Sequence, residues 1–348
     1  MKKANIILLI AAFLMINNSG YCGNVAAPYE AGNWPGFRTA AVTYTFDDGC
    51  AKQYTVALPM FNEFGFKMTL YPVINWVPNW PALQEAAKQG HEIGSHTVTH
   101  TKNPNKMPVE QQATELVNSQ DAINSHIPGQ KCLTIAYPYC QPLDKALTAK
   151  YYIAARHCQG YIEANSPSNM YQISSLMCGG GSLKTAADFN ARFEKAAASK
   201  GWCVFLLHGI DDDGGASPIQ SEALRAGLEY LKAHKDIYWV ATFANAVRYI
   251  RERNDVSVAE SSHSENSITL KVTNTLDDTI YNYPLTLRRP MPMGLFVWKG
   301  AKVSQGGRSA DASIVEVNSK KYIMFDVVPD GGDVVLERKM SDVIFDPN

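Results

Sequence analysis

The chain has 348 residues, 46% of them hydrophobic and 10% aromatic, with 32 Lys and Arg against 33 Asp and Glu for a formal net charge of -1. That apolar content excludes intrinsic disorder, which combines low hydrophobicity with high net charge. The even balance lacks the basic excess of nucleic-acid-binding domains, so no nucleic-acid partner is expected. Lys2 and Lys3 precede an apolar run from Ile6 to Ile16, and a polar stretch follows it. Residues 1–22 therefore read as a secretory signal peptide whose apolar part is too short to span a bilayer. A weak N-terminal anchor is the rival reading. Cys22 follows Tyr21 rather than a small residue, so a lipid anchor there is not favoured. No other run is long enough to cross a membrane, and the expected location is secreted or periplasmic.

From Ala40 to about Glu252, short apolar runs alternate with helical patterns. Ala41–Phe46 reads as a strand. Val56, Met60, Phe61 and Phe64 mark one face of a helix that Gly65 closes. Met68–Val73 is the next strand, Pro81 opens a helix ended by Gly90, and Glu92–Ser95 is a short strand. Pro108 starts a helix with Val109, Ala113, Leu116, Val117 and Ile123 on its apolar face. Strands are expected at Cys132–Pro138, Tyr151–Ala155 and Tyr171–Ser175, then a helix through Phe189, Phe193 and Ala197 to Gly201. Cys203–Leu207 is a strongly apolar strand. Ser217 and Pro218 open a helix with Leu224, Leu228 and Leu231 inward, and Gln220 is placed to complete a capping box. Ile237–Ala241 is the last strand before a helix capped by Thr242.

Repeated strand–helix units imply an α/β fold with a parallel sheet buried on both faces. Their number fits a closed or nearly closed (β/α) barrel, with an open doubly wound sheet as the rival. The first strand–helix turn has no Gly-x-Gly-x-x-Gly, so dinucleotide binding is disfavoured. After Asn254 the pattern changes to short alternating runs at Ser267–Thr273, Tyr283–Leu287, Leu295–Trp298, Ser313–Val317, Tyr322–Val327 and Val334–Glu337, separated by Asn, Asp and Gly turns. The expected organisation is a leader at 1–22, the barrel at 25–253 and a small all-β sandwich at 255–348.

Four polar clusters end predicted strands: Thr45-Phe46-Asp47-Asp48-Gly49, His96 to His100, Ala136-Tyr137-Pro138-Tyr139-Cys140, and Leu206-Leu207-His208-Gly209. In a parallel barrel the C-terminal strand ends share one face, so these clusters converge. His96 and His100 are four apart, which on a helical turn puts both imidazoles on one side. With Asp48 they make two nitrogen ligands and one oxygen ligand, leaving metal positions open for water and substrate. HxxxH alone is better explained by two exposed histidines on an ordinary helix; Asp-Asp-Gly on the same face turns the balance to the metal. Asp47 would then be free to take a proton from water, although a solvated Asp-Asp-Gly turn is the bland reading. His208 suits a general acid, because its ordinary pKa is near neutrality. Alone it would be taken for a core histidine. Trp76, Trp80 and Tyr137 lie near the same face as candidate sugar-stacking residues. Asp211 to Gly215 is expected to be a mobile active-site loop rather than a calcium loop.

TFDDG, HTVTH, a PY pair and LLH, in that order, resemble the NodB-homology polysaccharide deacetylases of carbohydrate esterase family 4. The resemblance covers roughly Arg38 to Arg253. It implies a distorted (β/α) barrel and a divalent metal, most often zinc, held by Asp48, His96 and His100. It implies Asp47 as catalytic base, His208 as general acid, and the Tyr139 backbone N–H as an oxyanion donor. It also implies an acetylated carbohydrate substrate: O-acetyl xylan, or the N-acetyl sugars of chitin or peptidoglycan. The family's third motif usually carries an arginine paired with the catalytic aspartate; here Ala136 stands near that place, and Arg156 either replaces it or is a surface arginine. The family's fourth motif has no clear match, and Cys140 stands where glycine is usual. These departures leave room for a catalytically weak or inactive carbohydrate-binding protein on the same fold, and a small-molecule metallo-amidase is a third reading.

With Cys22 set aside, six of the seven cysteines remain, and sequence does not fix their pairing. Cys158 with Cys178 is the first expectation. Cys50 with Cys140 would join two site loops, and Cys132 and Cys203 read as packed thiols.

Overall fold

The computed structural model describes residues 26, 28–180, 183–292, 298 and 300–339. The expected leader, Cys22 and most of the expected strand Leu295–Trp298 lie outside these residues. A two-residue strand, β1 (Glu30–Ala31), precedes the first barrel strand, β2 (Ala40–Asp47), which is buried throughout. β2 pairs in parallel with β8 (Trp202–Leu207) on one side. On the other it meets β3 (Thr69–Tyr71) near its C-terminal end and β9 (Tyr238–Val240) near its start. β3 continues to β4 (Glu92–Ile93). β5 (Thr134–Ala136) and β6 (Ala154–Arg156) pair with each other. They join the rest through single bridges, Ser95 to Ile135 and Arg156 to Ile173. β7 (Leu176–Met177) then pairs with β8. The sheet thus curls round on itself, closed in places by one bridge rather than a ladder, which is the distortion of the barrel. Tyr171–Ser175 contributes only the bridge at Ile173; the strand expected there begins at Leu176.

The α-helices among the described residues are α1 (Leu58–Phe64), α2 (Trp80–Lys88), α3 (Val109–His126), α4 (Lys145–Tyr151), α5 (Ala186–Ser199), α6 (Ser221–Ala233) and α7 (Phe243–Asp255). Local chemistry sets their ends. Gly65 closes α1 in the left-handed region at φ 73°, where a side chain is disfavoured. Asn79, Asp144 and Thr242 accept the first free N–H groups of α2, α4 and α7, and Thr185 with Asp188 forms a capping box on α5. Gln220 makes no side-chain cap; instead Asp211 accepts the Ser221 N–H at 2.7 Å. On α3, Leu116 and Ile123 are buried as expected, but Val109 is exposed and polar Gln112, Glu115 and Ser119 are buried.

Strand alternation decides what reaches the site. Ala40, Val42, Tyr44 and Phe46 pack in one cluster with Phe61 of α1, Phe189 and Phe193 of α5, and Leu224, Leu228 and Leu231 of α6. With period two, Thr43, Thr45 and Asp47 point the other way, into the barrel. The two threonines are satisfied there: Thr43 accepts from the Trp202 indole at 2.9 Å and Thr45 donates to the Phe205 carbonyl at 2.7 Å. Asp47 ends this inner file.

The C-terminal strands are β10 (Ser257–His263), β11 (Ser267–Thr273), β12 (Leu285–Pro290), β13 (Ala301–Gln305), β14 (Arg308–Val317), β15 (Lys320–Val327) and β16 (Val334–Arg338). They pair antiparallel in the order β1-β12-β15-β14-β13-β16-β11-β10. β14 changes partner midway, from β13 to β15 at Ala312 and Ser313. Sequence reading misses β1, β10 and β13. Ile268, Leu270, Leu285, Leu287, Val334 and Leu336 join Trp34, Trp202, Phe243, Val247 and Ile250 in a second buried cluster. The β region therefore shares a core with α7 and the barrel base.

Candidate active site

Asp48 leaves the end of β2 with φ 73°, a left-handed conformation that Asp tolerates better than most residues. His96 and His100 lie on a loop, not on the helical turn expected for their spacing; Thr97 (φ 66°) and His100 (φ 53°) are left-handed there. Glu115 of α3 holds this loop. Its carboxylate accepts the N–H groups of Val98 at 2.8 Å and Thr99 at 2.9 Å, and the Thr99 hydroxyl at 2.7 Å. The Ser95 hydroxyl accepts the Thr97 N–H at 3.1 Å. The loop bonds thus bring together rings that a helix would otherwise have aligned.

The Nε2 atoms of His96 and His100 each lie 3.6 Å from Asp48 Oδ1, and one donor atom from each residue fits within 4.8 Å of the others. His96 Nδ1 is 2.8 Å from the Ala136 carbonyl, which can only accept, so the proton sits on Nδ1 and the Nε2 lone pair faces Asp48. Asp48 Oδ1 is buried with no hydrogen-bond partner. Burial, then the neighbouring Asp47 charge, pushes Asp48 up to about 7, while burial pulls His96 down to about 4. A carboxylate oxygen without a hydrogen-bond partner, set between two imidazoles that resist protonation, is a donor set that fits a divalent cation.

Asp47 is 2% exposed. Burial alone would raise its pKa, but Arg156 and, less strongly, His96 and His208 outweigh burial and hold it below the usual carboxylate value. Arg156 comes from the end of β6, is itself 1% exposed, and donates to Asp47 Oδ2. It also donates to the Ser175 hydroxyl at 3.4 Å. Asp47 Oδ1 has no partner. His208 follows β8 and places Nε2 4.0 Å from Asp47 Oδ2; burial lowers its pKa. Gln53 spans the two, donating to the Asp47 carbonyl and, at 2.9 Å, to the His208 carbonyl.

Tyr139 and Trp76 flank His100, with ring centroids 4.6 and 4.8 Å away. Both are about half exposed, 47% for Tyr139 and 51% for Trp76. The other two aromatic candidates are corrected. Tyr137 is buried in the core with its hydroxyl on Thr148, and the Trp80 ring is stacked on His126 at 4.1 Å, so packing occupies them. The disulfide expectations also change: Cys140 bonds Cys158, with Cα atoms 5.6 Å apart, while Cys178 and Cys50 are free thiols. Cys132 and Cys203 are buried thiols, as expected. The Asp211–Gly215 loop is pinned rather than loose: Asp213 accepts the N–H groups of Lys52, Ile210 and Gly215. Glu115 and Gln53 are the functional residues that sequence reading misses. Polar Gln112, Glu115 and Ser119, three and four apart beside the apolar face of α3, were the available signal for the first.

Residues 36–154 match the polysaccharide deacetylase family. The resemblance to the NodB-homology deacetylases read from TFDDG and HTVTH is therefore shown. The match contains Asp47, Asp48, His96, His100 and Tyr139, and stops just short of Arg156. Over 326 residues the chain is 26% identical to a gellan lyase of a Bacillus species, covering 88% of this chain but 13% of the lyase. Over 113 residues it is 28% identical to YxkH of Bacillus subtilis, assigned by name to the polysaccharide deacetylases; that match covers 31% of this chain and 40% of YxkH. The chain thus spans well under two thirds of either relative. Among solved structures, the Xyl-CE4 domain of a multidomain xylanase from the hindgut metagenome of Trinervitermes trinervoides is 17% identical, with TM-score 0.41, over 60% of this chain and 89% of that one. No helix among the described residues is long and apolar enough to cross a membrane.

Proposed function

We propose that the chain is a metal-dependent hydrolase that removes acetyl groups from a polysaccharide or oligosaccharide. One observation carries this reading: a three-ligand cluster lies against a buried carboxylate, Asp47, that keeps one oxygen uncommitted. Asp48, His96 and His100 would hold a divalent cation, zinc first by donor type. When bound, that cation supplies positive charge at the acetyl carbonyl and lowers the pKa of water. Asp47 takes the proton of the attacking water on Oδ1, since Arg156 holds Oδ2 and keeps the carboxylate ionised. The water oxygen bonds to the acetyl carbon, and the Tyr139 N–H donates to the oxyanion that forms. The bond from the acetyl carbon to the sugar oxygen or nitrogen then breaks. His208, whose Nε2 lies 4.0 Å from the Asp47 carboxylate, relays the proton that Asp47 took to the leaving atom, and acetate departs. Trp76 stacks on the sugar.

The residues handle acetyl, so O-acetyl xylan and the N-acetyl sugars of chitin and peptidoglycan are all candidates; the gellan lyase likeness adds gellan to the panel. We also infer that the protein is secreted or periplasmic. The Cys140–Cys158 bridge supports this, because disulfides persist in oxidising compartments. The test is acetate release from each polymer with zinc present. Release from at least one, lost with chelator and restored by metal, is expected. His96→Ala should weaken zinc binding at least tenfold in a chelator competition. With metal bound, no acetate from any polymer defeats the enzyme reading in favour of a binding protein.

A further inference from the structure

Tyr139 and Cys140 are consecutive non-glycine residues with left-handed backbones, at φ 51° and 58°. Each is disfavoured by contact of Cβ with the backbone, so two in succession are seldom held without support. The turn they form puts the Tyr139 ring 4.6 Å from the His100 ring. Local bonding is slight: Cys140 N–H donates to the Tyr137 carbonyl at 3.1 Å and Gln141 N–H to the Pro138 carbonyl at 3.0 Å. The strand beneath is also short, since β5 and β6 pair over three residues each, Thr134–Ala136 with Ala154–Arg156. Just above the ladder the Tyr137 N–H donates to the Arg156 carbonyl at 3.1 Å, and beyond that the disulfide crosses between the two loops. Cys140 adjoins Tyr139, and Cys158 lies two residues beyond Arg156, the partner of Asp47.

We infer that the Cys140–Cys158 disulfide is a positioning device for the site: it holds the left-handed turn that seats Tyr139 against His100 and fixes that turn to the loop carrying Arg156. Cys140 and Cys158 touch no reacting atom and act through Tyr139 and Arg156. Glycine adopts this backbone freely, so a glycine at position 140 could hold the turn without a cross-link. That exchange supplies the test. The inference rests on the deacetylase reading for its kinetic part only; the seating of Tyr139 is measured separately.

Three proteins are compared under non-reducing conditions: the native chain, the pair Cys140→Ser with Cys158→Ser, and the pair Cys140→Gly with Cys158→Ser. The first readout needs no activity: the NMR shifts of the His100 ring protons, which sense the Tyr139 ring. They should move toward solvent-like values in the serine pair and return toward native values in the glycine pair. The second readout is acetate release. The serine pair should lose about tenfold or more in kcat with KM and zinc affinity close to native, and the glycine pair should recover most of it. A general loss of folding would instead lower the zinc affinity of both variants and would not be rescued by glycine. Native-like His100 shifts in the serine pair, or equal losses in both pairs, would overturn the inference. So would free thiols at both positions in the native protein. A native chain that releases no acetate counts against the deacetylase reading, while the His100 shifts still decide this one.

Discussion

Asp47 and Glu92 are both buried carboxylates on the parallel sheet, and both neighbour β3: Asp47 pairs with Tyr71 at its C-terminal end, Glu92 with Thr69 at its start. Glu92 is surrounded by neutral donors. The hydroxyls of Thr69 and Thr134 and the Ala244 N–H at the start of α7 all point at it, and burial raises its pKa. Asp47 instead faces Arg156 and two histidines, keeps one oxygen unpaired, and is held low. A carboxylate with its acceptor sites filled braces a fold; one left ionised and partly unfilled, at the strand ends where loops can change, is equipped for proton transfer. The same contrast separates the two ends of the barrel. The base merges into a shared core with the C-terminal strands, while exposed Trp76 and Tyr139 gather at the other end.

The sharpest way to break this comparison is to neutralise each acid. Asp47→Asn should lower acetate release by about 10²- to 10⁴-fold, and should also lower the melting temperature, because buried Arg156 loses its charged partner along with the base. Activity within a few-fold of native would return Asp47 to the class of Glu92. An intermediate effect is expected at Glu115, which supports the loop without touching it from the reacting side. Glu115→Ala leaves the N–H groups of Val98 and Thr99 without their acceptor and should reduce zinc affinity and acetate release together, by about tenfold. Unchanged zinc affinity would show that His100 is held by something else.

The smallest effect belongs to Glu92→Gln, read in stability. The folded pKa of Glu92 lies above its ordinary 4.5, so the folded state keeps a proton that the unfolded chain gives up. Its contribution is full below about 4.5 and is lost as pH rises through the folded value. Gln cannot ionise and escapes that loss. The melting temperature of Glu92→Gln relative to native should therefore rise from acid toward neutral pH, with kcat unchanged. A gap that shrinks as pH rises would mean that Glu92 is held charged, like Asp47.

Much of the site was legible because its residues are chemically conspicuous beside regular patterns. Asp47 and Asp48 end an apolar strand, His96 and His100 follow another, and parallel topology puts all strand ends on one face. The helix starts at Thr242 and the end at Gly65 were readable for the same local reason, since capping and left-handed turns depend on neighbours in the chain. The failures share a different cause. Spacing suggested a helical turn for His96 and His100, but Glu115 on α3 rewards a loop instead. Ser217, Pro218 and Gln220 were expected to open α6 with a capping box, but the helix starts at Ser221, whose N–H goes to Asp211, brought in by the preceding loop. Tyr137 and Trp80 look like Trp76 in sequence and differ only in what packs on them.

By itself the sequence determined the periodicities that build the barrel, the second texture after Asn254, and which residue types end each strand. Those follow from short-range sterics and from the alternation of faces along a strand. Only the tertiary structure decided that Arg156 serves Asp47, that Cys140 joins Cys158, and that the C-terminal strands share a core with α7. Each of these joins residues distant in the chain, and the partner is whichever group the curl of the sheet brings within bonding distance.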